Sequence, residues 1–225
     1  MQMLIGMAFG FLLVVMFGVA SADDMPTSNP VIPEVELAPA VVVAAGADSV
    51  NSDAIARIST EVGPTIQRGT AFQLDDGRIG SVAHALIDAR SATLGDTTTQ
   101  QLDLSAAAIS NLHDVAAIAA DQLPGSLSVA STEGEVGQIV AIAGIPQSGR
   151  IEVITGEVIS RTSGAGYGIE RPDVYVISAS VEPGWSGGPV VDANGDVIAI
   201  VVGREERSGV ALAVPIEYLP TPSSG

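Results

Sequence analysis

The chain contains no cysteine and no lysine, and only two histidines, His84 and His113, in 225 residues. Without cysteine there are no disulfides, no thiol nucleophile and no Cys-ligated zinc. Because all nine cationic side chains are arginine, a Ser-Lys catalytic pair and a lysine Schiff base are excluded as well. Two histidines are too few for a multi-histidine metal site, and no cofactor or metal is expected. Aromatic residues make up only 4% of the chain while hydrophobic residues make up 47%. A core is affordable at this length, and it must be built from Ala, Val and Ile, side chains that suit pleated sheets. Basic charge is scarce too: the net charge of −17 argues against nucleic acid as a partner, because phosphate recognition needs clustered Arg and Lys.

What is present is ordered along the chain. Residues 4–19 form a nearly unbroken apolar run, followed by Ala20-Ser21-Ala22 and then Asp23 and Asp24. Small residues before a polar start read as a signal-peptide cleavage site, although no Arg or Lys precedes the run. Residues 1–22 are therefore expected to be a signal peptide or an uncleaved membrane anchor, with a tether through residues 4–20 in the second case. Either outcome places the rest of the chain outside the cytoplasm: secreted, periplasmic or anchored on the far side of a membrane. Four prolines between Asp23 and Val50 mark residues 23–52 as an extended linker. Folding is expected over 53–225, where short apolar runs alternate with turn signals at Asp76-Gly77, Pro146 to Gly149 and Asn194-Gly195. Strands are expected at 70–74, 79–83, 115–119, 138–145, 151–160, 174–179, 197–202 and 210–214. That many short strands without heptads or strand-helix-strand spacing implies an all-β barrel or sandwich.

The sharpest chemical signal is Pro183-Gly184-Trp185-Ser186-Gly187-Gly188-Pro189. A serine among glycines can be projected on a tight turn while neighbouring backbone N–H groups point to where an oxyanion develops. The same residues satisfy G-x-S-x-G, the elbow of α/β-hydrolases, but that fold needs its histidine after the serine and none follows Ser186. The order His84, Asp114, Ser186 is instead one of the known triad orders. His84 ends an expected strand in Ser81-Val82-Ala83-His84, and Asp114 opens another in Asp114-Val115-Ala116-Ala117-Ile118. His113, beside Asp114, points to the opposite side of its strand and is expected to face solvent rather than to act as the base.

Together these segments resemble the chymotrypsin/trypsin superfamily of serine proteases, and within it the bacterial HtrA-like branch. Gly69-Thr70-Ala71-Phe72 is similar to that family's Gly-Thr/Ser-Gly-Phe strand, with Ala71 in place of the second glycine. Ser81 to His84 resembles Thr-x-Ala-His, Asp114 to Ile118 resembles Asp-Ile/Leu-Ala-Val-Leu, and Gly184 to Pro189 resembles Gly-Asn/Asp-Ser-Gly-Gly-Pro. The separations of 30 positions (84 to 114) and 72 (114 to 186) fit compact members. In the second half, Ile145-Pro146, Thr155 to Val158, Asp192 to Ile198 and Val210 to Pro215 also resemble family strands.

The resemblance implies two perpendicular six-stranded antiparallel β-barrels, about 53–132 and 133–220, with the active site between them. It implies a serine endopeptidase with His84 as base, Asp114 as its orienting carboxylate and Ser186 as nucleophile, the amides of Gly184 and Ser186 forming the oxyanion hole. A polypeptide is then the substrate, and activity is expected to have an acid limb around pH 6 to 7, where free histidine titrates. Trp185 replaces the aspartate of zymogen-type members and is expected to pack beside the oxyanion loop. No PDZ-like segment is expected after Val214, since eleven residues remain. The stretch 176–180 holds no acidic residue, and no pocket arginine is identified, so a small or medium apolar side chain is expected at the cleaved position. A catalytically silent barrel serving as a binding or assembly module is the competing expectation.

Overall fold

The computed structural model describes residues 47–95 and 100–222. The expected signal peptide or anchor (1–22), the tether (4–20) and the linker up to residue 46 lie outside the described residues. Thirteen strands run through the described residues: β1 (Ile55–Val62), β2 (Thr65–Gln73), β3 (Arg78–Val82), β4 (Ser91–Leu94), β5 (Gln100–Leu102), β6 (Ala107–Ser110), β7 (Val115–Ala119), β8 (Ile139–Gly144), β9 (Glu152–Thr162), β10 (Val174–Ser180), β11 (Pro189–Val191), β12 (Val197–Arg204) and β13 (Val210–Pro215). All pairings between them are antiparallel.

The strands make the expected two-barrel architecture, with one amendment. β10-β13-β12-β11-β8-β9 close into a six-stranded barrel, whereas the N-terminal half is a curled seven-stranded sheet in the order β5-β4-β1-β2-β3-β7-β6. All three expected hairpin turns are present. Gly77, between β2 and β3, and Gly195, between β11 and β12, both have positive φ, 82° and 88°, and Gly149 closes its turn by donating to Pro146 O at 3.0 Å. Gly77 and Gly195 sit where a side chain would strain the chain.

The eight expected strands are all found, to within a few residues at their ends. Five others were not anticipated: β1, β4, β5, β6 and β11. β1 hides its period because Arg57 and Thr60 are among its buried residues. The others are only three or four residues long, too short to show alternation.

Why apolar runs of small residues make strands here is visible in the two faces of β7, β8 and β13. Val115 and Ala117 face a core shared with Ala141, Ala143, Leu212 and Val214 of the second half. Ala116 and Ile118 face inward to the curled sheet with Ile58, Ile79 and Leu94. On β8, Val140 and Ile142 instead fill the closed barrel with Tyr175, Trp185 and Val190. Strands buried on both faces read as continuous apolar runs. The alanines let the two halves approach closely around a common core. Packing also reaches back before residue 53, for Val50 belongs to the shared core.

Candidate active site

The pairing register of β3 and β7 brings the first two candidate residues together. Val82 is opposite Val115, so in an antiparallel ladder residue 83 faces residue 114 just beyond the strand ends. Ala83 N–H donates to Asp114 O at 3.0 Å, and His84 follows in a single 3-10 turn, Ala83–Ala85. The His84 backbone N–H donates to Asp114 Oδ1 at 2.9 Å, and Nδ1 lies 2.8 Å from Asp114 Oδ2. Since an ionised carboxylate only accepts, Nδ1 carries the hydrogen and Nε2 of the neutral ring keeps its lone pair. The ring is half exposed, its side chain at 48%, while that of Asp114 is at 6%. Asp114 adopts φ 61°, a left-handed conformation that Asp tolerates better than most residues.

Asp114 is also reached by Arg171, whose Nη2 lies 3.0 Å from Oδ2. Burial pushes the Asp114 carboxyl up, but the His84 ring bond, the attraction of that ring, the Arg171 guanidinium and the His84 amide together outweigh it. The net effect holds the carboxyl below its ordinary 3.8.

Ser186 comes from the other half, on the loop between β10 and β11. Its carbonyl accepts from Thr70 N–H at 2.8 Å, and it lines one cavity of about 390 Å³ with His84, Ile66, Arg68 and Gln147. His84 and Ser186 therefore share a cleft; no hydrogen bond joins their side chains among the described residues. The loop is held in shape from below. Glu182-Pro183-Gly184-Trp185 forms a turn closed by Trp185 N–H to Glu182 O at 3.1 Å. Gly184 at its third position has φ 103°, the type II pattern, with proline second. Gly187 has φ 89°, and a Cβ there would stand 2.0 Å from Thr70 O and 2.5 Å from Ser81 Oγ. Only glycine fits. The N–H groups of Gly184 and Ser186 have no acceptor among the described residues.

Three residues matter here that the motifs did not single out for a role. Thr70 is a hub: its Oγ1 donates to Gly184 O at 2.8 Å and accepts from Ile145 N–H at 2.9 Å. Arg57 is 5% exposed and its Nη2 donates to Pro146 O at 3.1 Å and Gly149 O at 3.0 Å, steadying the turn that carries Gln147. Arg171 is the third. Thr70 lies inside a quoted motif; the two arginines are distant in sequence from what they hold, and no local pattern marks them.

Two expectations are corrected. His113 is not freely exposed: it is partly buried, stacked on Tyr218 with ring centroids 3.8 Å apart and planes 2° from parallel. The Tyr218 ring covers one face of the imidazole, and Ser110 Oγ lies 3.2 Å from its Nδ1. Second, a smaller cavity of about 80 Å³ beside Ser186 is lined by Val181, Pro183, Trp185 and Val201, and also by Glu182 and Arg204. An arginine is thus present, spending one donor on Val181 O at 3.2 Å; the strand bulges of the barrel bring it there. Trp185 is 2% exposed and packs against Gly144, where a Cβ would approach the indole to 2.5 Å. Its side chain fills the closed barrel.

Comparison with known proteins adds three findings. The family model described as "Trypsin-like peptidase domain" matches residues 69–200. Serine protease Rv3671c of Mycobacterium tuberculosis is 32% identical over 197 residues, covering 82% of this chain and 45% of the relative; the chain thus spans about half the length of the curated relatives it matches. Among solved structures, the Rv3671c protease in an inactive form superposes with a TM-score of 0.66 at 25% identity, over 80% of this chain and 93% of that one. The HtrA-type protease AlgW with a tripeptide gives a TM-score of 0.66 at 20% identity over 76% and 59%, a likeness of fold.

Proposed function

The chain belongs to the trypsin-like peptidase family, and from that premise we propose that it is a serine endopeptidase with His84, Asp114 and Ser186 as its triad. The observation that carries this reading is the His84–Asp114 pair at 2.8 Å in the same cleft as Ser186. Nε2 of His84 takes the Ser186 hydroxyl proton as Oγ bonds to the scissile carbonyl carbon, and the carbonyl π pair moves onto oxygen. The amides of Gly184 and Ser186 receive that oxyanion; one such donor is worth about 10²–10³ in rate. The C–N bond then breaks with the proton passing from His84 to the leaving nitrogen. After the amine leaves, His84 deprotonates a water as its oxygen bonds to the acyl carbon; the C–Oγ bond then breaks, the proton passes from His84 back to Ser186 Oγ, and the acid is released. Asp114 stays ionised throughout and stabilises the imidazolium.

The unit that does this is residues 53–225, with halves near 53–132 and 133–220 and the cleft between them. The cavity beside Ser186 is small, about 80 Å³, and Val181, Pro183, Trp185 and Val201 in its lining support a small or medium apolar side chain at the cleaved position, with Arg204 and Glu182 at the same cavity. The apolar run at 4–19 followed by Ala20-Ser21-Ala22 supports an extracytoplasmic catalytic unit, secreted or tethered. A mature N-terminus at Asp23 marks secretion, and Met1 retained in the membrane fraction marks a tether.

A silent barrel is favoured by one observation, the absence of a Ser186–His84 hydrogen bond. In ligand-free serine hydrolases that bond is often long and tightens with substrate. Fluorophosphonate labelling decides between the two. The folded wild type is expected to label, and Ser186→Ala and His84→Ala to fail. A folded wild type that does not label refutes the peptidase. A peptide library dominated by Arg, Lys or Glu at the cleaved position refutes the small-side-chain assignment.

A further inference from the structure

We infer that Arg171 is a positioning residue of the active site: its guanidinium, carried by the second half of the fold, holds the Asp114 carboxylate in the orientation that grips His84. This rests on the triad reading above. The carboxylate is buried, at 4% exposed, and its acceptor sites are taken as a set. Oδ1 accepts from the His84 amide at 2.9 Å, and Oδ2 accepts from the His84 ring at 2.8 Å and faces Arg171 Nη2 at 3.0 Å. Both hydrogen bonds to the carboxylate come from His84, one from its backbone and one from the ring that must be held. Among the described residues, Arg171 is the one charged side chain paired with Asp114 that is independent of His84. It is therefore what defines the orientation of the pair against the half that carries Ser186.

Arg171 is itself firmly based. It lies between β9 and β10, where its carbonyl accepts from Gly164 N–H at 2.8 Å and its own N–H donates to Ile169 O at 3.0 Å. Its Nη1 donates to Glu170 O at 3.0 Å. Pro172 follows with a ring-locked φ, and Asp173 is clamped by Arg161 Nε at 3.0 Å, by Arg161 Nη2 at 2.7 Å and by the Tyr218 hydroxyl at 3.0 Å. Arg161 is held in turn by Glu133 and by Glu217. These contacts fix the backbone from which the Arg171 side chain reaches Asp114.

The charge has its own effect. Nδ1 of His84 and Nη2 of Arg171 both contact Oδ2, at 2.8 and 3.0 Å, so a protonated ring and the guanidinium would repel each other across one oxygen. That repulsion opposes a second positive charge on the same carboxylate, and it disappears when Arg171 is made neutral. The other charged or titratable groups around it are Glu170, whose carbonyl takes Nη1, His113 stacked on Tyr218, and the network of Arg161 with Asp173, Glu133 and Glu217.

The test is the pH dependence of kcat/KM and of fluorophosphonate labelling for the full chain, as wild type, Arg171→Gln and Arg171→Lys. Arg171→Met, which keeps the apolar stem, replaces the Gln variant should that one unfold. Loss of the guanidinium is expected to move the acid limb to higher pH and to lower kcat roughly 5- to 50-fold at an unchanged KM. Lysine is expected to restore the limb and only part of kcat, since it keeps the charge and loses the fork. A labelled wild type beside folded neutral variants with the same limb and kcat overturns this inference alone. A wild type that does not label overturns the triad reading and this inference with it.

Discussion

Thr70→Val tests how the serine loop is held. Valine has nearly the shape of threonine but no polar atom, so Gly184 O would lose its donor at 2.8 Å and Ile145 N–H its acceptor at 2.9 Å. Thr70 is 0% exposed, so water has no direct route to replace either partner. A buried polar group left unsatisfied costs about 1–3 kcal/mol. Two such groups, less the gain from burying a methyl in place of a hydroxyl, give a destabilisation of about 2–4 kcal/mol. For a domain of this size that corresponds to roughly 4–16 °C in Tm. The Gly184 carbonyl also sets the plane of the loop between the two amides assigned to the oxyanion hole. Its release is expected to lower kcat/KM by a further 10- to 100-fold, short of the loss from deleting a donor outright. Denaturant unfolding and labelling rates of Thr70→Val and Thr70→Ser provide the check, the serine variant keeping both hydrogen bonds and most of the stability. A valine variant within about 0.5 kcal/mol of wild type and labelling at the wild-type rate would refute the argument.

Gly187→Ala, with its Cβ forced to 2.0 Å from Thr70 O at φ 89°, is expected to cost at least about 3 kcal/mol and to abolish labelling, measured as soluble yield and probe signal. Trp185→Ala empties the largest fully buried side chain and is expected to cost about 3–5 kcal/mol, read as a fall in denaturation midpoint. Acid should destabilise the fold in a defined window. Asp173 is held below its ordinary 3.8 by hydrogen bonds from Arg161 and Tyr218, and Asp114 is also held below it by His84 and Arg171. The unfolded chain therefore takes up these protons first, so the stability they contribute is full above about pH 4 and is lost as pH falls through the lower folded values. Unfolding free energies measured from pH 6 to pH 2 should decline below pH 4, and Asp173→Asn should remove part of that decline; a parallel curve for the variant would count against it.

How much of this was legible beforehand differs by element. β3, β7, β8, β12 and β13 could be read because both faces are apolar and each run ends at a turn signal. β1 could not, because buried Arg57 and Thr60 interrupt its pattern for reasons that lie elsewhere: Arg57 reaches Pro146 and Gly149, nearly a hundred positions away. His113 looked exposed because its stacking partner, Tyr218, is over a hundred positions downstream.

The candidate site divides along the same line. Short-range chemistry was written into the chain: a serine flanked by glycines, whose small size the close approach of Thr70 O demands, a histidine at a strand end, and an acid opening another strand. Chain order and the absence of cysteine and lysine narrowed the chemistry further. What only the tertiary structure decided are the contacts that join distant segments. The register of β3 and β7 places His84 on Asp114, Thr70 holds Gly184 from across the cleft, Arg204 reaches the small cavity, and Arg171 reaches Asp114. A local motif records what backbone geometry a few neighbouring residues require. A hydrogen bond between residues a hundred positions apart leaves no periodicity in either one's surroundings, so it becomes visible only when the fold has brought them within 3 Å.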